Sequence, residues 1–136
     1  MSYKISYEQE SDYLHVAVSG ENSKENVTAY LAEMREECRR RDCFRVLLEE
    51  KLEGDRLEVM EVFTIASEGS MNALGQFEAI AYVDVNSSEL MGFAETVAVN
   101  RGMPIAVFIS VEDAKQWLRH QANSEEQDTF LRGGKT

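Results

Sequence analysis

Positive charge is scarce in this chain: 14 lysines and arginines stand against 25 aspartates and glutamates, a formal charge of -11 with a pI near 4.6. Such a surface repels phosphate backbones and anionic headgroups, both of which need a basic footprint, so no nucleic acid is expected as a partner. Long apolar runs are missing too. The longest, Met103 to Ile109 with Pro104 inside it, falls far short of the roughly 20 residues of a spanning helix, so no integral membrane segment is expected. The start of the chain, Met1 to Ser6, runs directly into polar and acidic residues. It lacks the apolar centre of a secretory signal, which makes the expected location cytoplasmic.

Cysteine and histidine are equally sparse, at two each. Cys38 and Cys43 would need two further ligands at compatible spacing to hold zinc, and His15 and His120 sit in no paired motif. No metal site is expected. Cytosolic thiols normally stay reduced, so both cysteines read as structural, Cys38 half-buried and Cys43 at a strand edge. A glycine-rich phosphate loop and a nucleophile elbow are absent from the sequence. No catalytic residue and no cofactor is therefore assigned. Glu78 and Asp84 flank a strand, a place where α/β proteins carry catalytic carboxylates, but no partner base accompanies them.

What is present suits one self-sufficient domain. The chain has 136 residues, of which 43% are hydrophobic and 29% charged, enough to build a single core without a disulfide or metal. Ile5 to Tyr7 and Tyr13 to Val18 read as antiparallel strands joined by the polar segment Glu8 to Asp12. In the second, Leu14, Val16 and Val18 share one face, and His15 points to the other, solvated side without a role. From Lys24 to Arg41 the period becomes 3.6, with Val27, Tyr30, Leu31, Met34 and Cys38 on one stripe. Asn22 or Ser23 can cap this helix, and Arg39, Arg40 and Arg41 complement its dipole at the far end.

Phe44 to Leu48 reads as a third, central strand, because consecutive apolar residues imply that both faces are covered. The acidic stretch Glu49, Glu50, Glu53 and Asp55 reads as a solvated loop, with Asp55 as a plain N-cap. A second helix is expected from about Asp55 to Glu68, followed by a glycine-bounded loop from Gly69 to Gln76 that carries Met71 and Leu74. Phe77 to Val85 forms a fourth strand. Ser87 or Ser88 starts a third helix that stops at Gly102, and Pro104 to Ile109 forms a fifth strand. Ser110 caps a last helix, which Trp117 fixes to the sheet. The domain spans residues 1–121, and the polar run 122–136 reads as a mobile tail. The order ββαβαβαβα defines an α/β fold: a mostly parallel five-stranded sheet with an antiparallel hairpin at its start and four helices.

With these elements placed, the chain resembles the SpoIIAA-like branch of the STAS fold, whose members are often likened to SEC14 or CRAL-TRIO lipid carriers. The resemblance covers about Ile5 to Gln121. It rests on Val16 to Gly20 leading into the first helix, on Phe44 to Leu48, on Phe77 to Asp84, and above all on Phe108 to Leu118, where a strand, a serine cap, an acidic first turn and Trp117-Leu118 follow one another. The resemblance implies either a regulatory interaction module or a carrier. Anti-sigma-factor antagonists of this fold carry a phosphorylatable serine at the start of the helix after the third strand, and residues 49–56 contain no hydroxyl side chain. The phosphorylation switch is therefore not expected here.

The second and third helices carry broader apolar arcs than one packing face requires. Val59, Met60, Val62, Phe63, Met71, Leu74, Phe77 and Phe93 are the candidate residues of a ligand or partner surface. Three accounts of them stand open: burial within the monomer, a face for a protein partner or a homodimer, and a cavity for a small apolar ligand. The non-enzymatic interaction module is the leading expectation, the SEC14-like carrier the alternative, and an enzyme of unknown reaction the third.

Overall fold

The hairpin opens the chain, with β1 (Tyr3–Gln9) antiparallel to β2 (Leu14–Glu21), and Leu14, Val16 and Val18 buried in strict alternation. The computed structural model describes residues 3–55, 57–84 and 89–121, with the backbone alone for 89–91. The expected tail 122–136, the caps Ser87 and Ser88, the strand end Val85 and the side chains of Leu90 and Met91 lie outside the described residues.

α1 (Lys24–Arg41) follows the expected bounds, and the Oγ of its N-cap Ser23 accepts the Asn26 N–H at 3.1 Å. At its far end Arg40 and Arg41 both pair with Glu37, so the arginine run is engaged within the helix. Asp42 closes the helix in the left-handed region at φ 53°, where its N–H reaches the Arg39 carbonyl. β3 (Arg45–Glu53) then lies at the centre of a sheet ordered β1-β2-β3-β4-β5, parallel to β2 and to β4 (Ala79–Asp84). β5 (Ile105–Phe108) completes the sheet, parallel to β4. A last helix, α4, covers residues 111–121, its first turn capped by the Ser110 Oγ accepting the Asp113 N–H at 3.1 Å. The architecture is thus α/β, with five strands and four helices among the described residues in the order expected.

Several boundaries differ, each for a physical reason. β3 runs on to Glu53, so the acidic stretch after Leu48 is strand and not solvated loop. It is paired with β4 as far as Glu50, opposite Asp84, and with β2 through to Glu53, opposite Glu21. Ladder pairing in a central strand overrides the polar composition. α2 (Val59–Ala73) begins later than Asp55 because Glu58 and Glu61 form a reciprocal capping box, which satisfies orphan N–H groups at that point. It also runs through Gly69 to Ala73, so Met71 lies in its last turn rather than in a loop. Inside the helix the Ser70 hydroxyl donates to the Ala66 carbonyl at 2.6 Å. His15 is not simply solvated: its Nε2 lies 3.1 Å from Glu49 Oε1, and both side chains are mostly covered.

Each crossover joins neighbouring parallel strands in the same sense, so α1, α2 and α3 (Glu89–Asn100) collect on one face of the sheet. The larger core lies there, joining Tyr30, Met34 and Cys38 of α1 to Val46, Leu48 and Ile80 of the sheet. α4 covers the other face, where Leu47, Ala81 and Val83 meet Ala114 and Leu118, and Trp117 packs on Phe108 with ring centres 5.7 Å apart. The guanidinium of Arg45 also donates to the Leu118 carbonyl, tying α4 to the start of the central strand.

The packing predicts a difference between the cysteines. Cys38 is fully buried, and burial pushes its thiol up to about 12, whereas Cys43 is partly exposed. Since the thiolate is the reacting species, a disulfide reagent at pH 8 is expected to modify Cys43 in the native protein and Cys38 only after denaturant is added. Peptide mass mapping before and after unfolding checks this, and native labelling at Cys38 would contradict the packing of α1.

Candidate functional site

α2 is held off the sheet. It packs against α1 and α3, while no Cα of α2 comes within 8 Å of a Cα in any described strand. Between this raised helix and the sheet lies a cavity of about 560 Å³. Leu48, Ile80 and Ile105 form its floor, Met34 of α1 and Ala98 of α3 its sides, and Val62, Ile65 and Ala66 of α2 its roof. That volume is within the roughly 300–1,000 Å³ of small-molecule sites.

One polar group interrupts the apolar lining. Side chains two apart on a strand share a face, so Glu50 follows Val46 and Leu48 onto the core side of β3, with Leu52 beyond it. On β4 the same alternation places Tyr82 and Asp84 beyond Ile80, and the register sets Asp84 directly across from Glu50. Tyr30 comes from α1, fully buried. The Tyr30 and Tyr82 hydroxyls both donate to Glu50 Oε2, and they stand 3.4 Å from each other. Among the described residues no donor reaches Glu50 Oε1, although Glu50 lines the cavity.

Burial is the main influence on these groups. It raises the Glu50 carboxyl above the usual 4.5, Asp84 adds a like charge in the same direction, and the two tyrosine donors oppose both. Burial, then the neighbouring Glu50 charge, holds both phenols well above 10. The tyrosines are therefore hydrogen-bond donors at any ordinary pH, not bases or nucleophiles. These polar groups lie toward the carboxyl ends of the parallel strands, the edge at which open α/β sheets usually receive ligands. Asn22 and Glu53, at the ends of β2 and β3, line the same end of the cavity.

The residues singled out from the sequence divide between two places. Val62 lines the cavity from α2, and Phe77 lines it from the segment before β4, largely buried. Val59, Met60, Phe63, Met71, Leu74 and Phe93 instead lie on the outside, with Met60 at 69% and Met71 at 74% exposure. Phe63 and Phe93 face each other with ring centres 6.4 Å apart, and the Arg101 guanidinium sits over the Phe63 ring. Glu78 is exposed and Asp84 lines the cavity, so the two strand-flanking carboxylates do not form one site. Sequence reasoning missed Tyr30, Glu50 and Tyr82 as a group. The signal for Glu50 was present: alternation from Leu48 to Leu52 puts it on the apolar face once β3 is allowed to continue.

No protein-family model, no curated protein and no solved structure matches this chain. Among the described residues, no group of three or more His, Cys, Asp or Glu side chains converges as a metal site, and no helix is long and apolar enough to cross a membrane.

Stability should carry the mark of Glu50. Its folded-state carboxyl keeps the proton to higher pH than in the unfolded chain, so the native state binds more protons from about 4.5 up to the raised value. Stability contributed by this group is full below that window and is lost as pH rises through it. Glu50→Gln removes the dependence. Its melting temperature is expected to equal or exceed that of the unmodified chain at neutral pH, and to change less between pH 4.5 and 7. Thermal unfolding followed by circular dichroism checks this, and parallel pH profiles for the two proteins would contradict it.

Proposed function

We propose that this chain is a non-enzymatic binding protein for a small molecule with an apolar body, held in the cavity between α2 and the sheet. The observation that carries the reading is the position of α2, which roofs the cavity between α1 and α3 without a close backbone approach to the described strands beneath. A helix with apolar residues below and above it suits a cover over an apolar ligand. The resemblance to the SpoIIAA-like branch of the STAS fold, whose members are likened to SEC14 carriers, is compatible with the same reading, and the cytoplasm is the location proposed for it. No cofactor is assigned and no covalent step is assigned to the tyrosines or to Glu50.

A neutral fluorescent probe, N-phenyl-1-naphthylamine, tests the cavity. Its emission is expected to rise on binding, and Ala66→Trp, which fills the roof, should weaken binding by about tenfold or more, equivalent to at least ~1.4 kcal/mol. Met60→Glu on the outer face should leave binding unchanged. Equal binding by all three proteins would place the probe outside the cavity and remove the support.

A second reading rests on a separate observation, the outward apolar group Val59, Met60, Phe63, Met71, Leu74 and Phe93. Such a group suits contact with a protein partner or a second copy of the chain. Light scattering is expected to detect an oligomer that Phe63→Glu dissociates with native circular dichroism retained. A monomer at high concentration would leave self-association without support.

A further inference from the structure

The chemistry of the cavity's polar end says more about its ligand, an inference that rests on the cavity being a ligand site. Glu50 is buried, and its two protein donors converge on a single carboxylate oxygen, Oε2. The other oxygen has no donor among the described residues, and Glu50 lines the cavity. That oxygen is open to the cavity rather than enclosed by protein, so a hydrogen-bond donor on a bound molecule can reach it. Glu53 lines the same end and brings a second carboxylate to it. Lys51, next in the chain, belongs to the opposite face, with its Nζ 3.6 Å from Glu49. Arg35, further along α1, is the cavity-lining cation among the described residues, and its backbone carbonyl accepts from Gln76, in the segment before β4. Among the described lining residues, carboxylates thus gather toward the carboxyl ends of the strands, and the cation lies toward their start.

We infer that the cavity selects an amphiphile whose polar head is a protonated amine, received by Glu50 Oε1 at the acidic end, with the apolar body lying beneath α2 toward Phe77. An ammonium supplies both a donor for Oε1 and a positive charge to meet the Glu50 carboxylate. A hydroxyl supplies only the first, and a carboxylate neither. A charge-assisted hydrogen bond in an apolar setting is roughly twice as strong as a neutral one, enough to separate an amine from an alcohol with the same tail.

Displacement of N-phenyl-1-naphthylamine at neutral pH by octylamine, octanol and octanoate tests this. Octylamine is expected to displace the probe at a concentration about tenfold or more below that of octanol, with octanoate weakest. Glu50→Gln should bring octylamine to the level of octanol and leave octanol unchanged. If that variant loses its native circular dichroism, the ratio of octylamine to octanol in the unmodified chain decides the matter. Equal displacement by octylamine and octanol overturns the assignment of the head group while leaving the cavity as a ligand site. So does a preference for octylamine that persists in a folded Glu50→Gln protein. Tighter binding of octanoate also overturns it and moves the head to Arg35. Failure of the probe and all three amphiphiles to bind overturns the cavity reading itself, and this inference with it.

Discussion

A carboxylate on the core face of a central strand must be satisfied from inside the protein, and the arrangement around Glu50 answers that requirement. An unpaired buried charge would cost several kcal/mol. Here two phenols, one from α1 and one from β4, converge on Oε2. Tyr30 thereby does two things at once, filling the fully buried space between helix and sheet and bringing its hydroxyl to the carboxylate. Tyr82 is held by the strand register that also sets Asp84 beside Glu50. The polar group therefore links α1, β3 and β4 at one end of the molecule, and the space left beside it is the cavity.

The helix layer follows from the topology. A sheet whose parallel strands add in sequence order places successive crossover helices side by side on one face. Three helices must then share that face, and the backbone of α2, between the other two, comes close to its neighbouring helices and not to the described strands. Ser70 and Ala73 are its buried residues, small side chains near its C-terminal end, whereas its N-terminal half carries the exposed Val59, Met60 and Phe63. On the opposite face of the sheet α4 packs through Ala114 and Leu118 against Leu47, Ala81 and Val83.

Much of the fold was legible because local patterns and long-range packing agree in it. The period of two in Leu14 to Val18 and the stripe of Val27, Tyr30, Met34 and Cys38 each correspond to a face that is buried. Ser23 and Ser110 act as the caps their positions suggested. Reading failed where a polar residue lies on a buried face. Glu49, Glu50 and Glu53 were read by composition as loop, although the strand continues through them. The breadth of the α2 arc was legible, yet its meaning was not, because Val62 faces inward and Met60 outward on what looked like a single apolar set.

By itself the sequence determined the order of elements, the parallel character of the sheet and the acidity of the surface, since these depend on periodicity, connection length and charge, all of which are local or additive. Only the tertiary structure decided that α2 stands away from the strands, that two tyrosines distant in sequence meet on one buried carboxylate, and that a cavity lies beside them. Those facts depend on strand register and on the way three helices share one face, and neither is encoded in any single stretch of the chain.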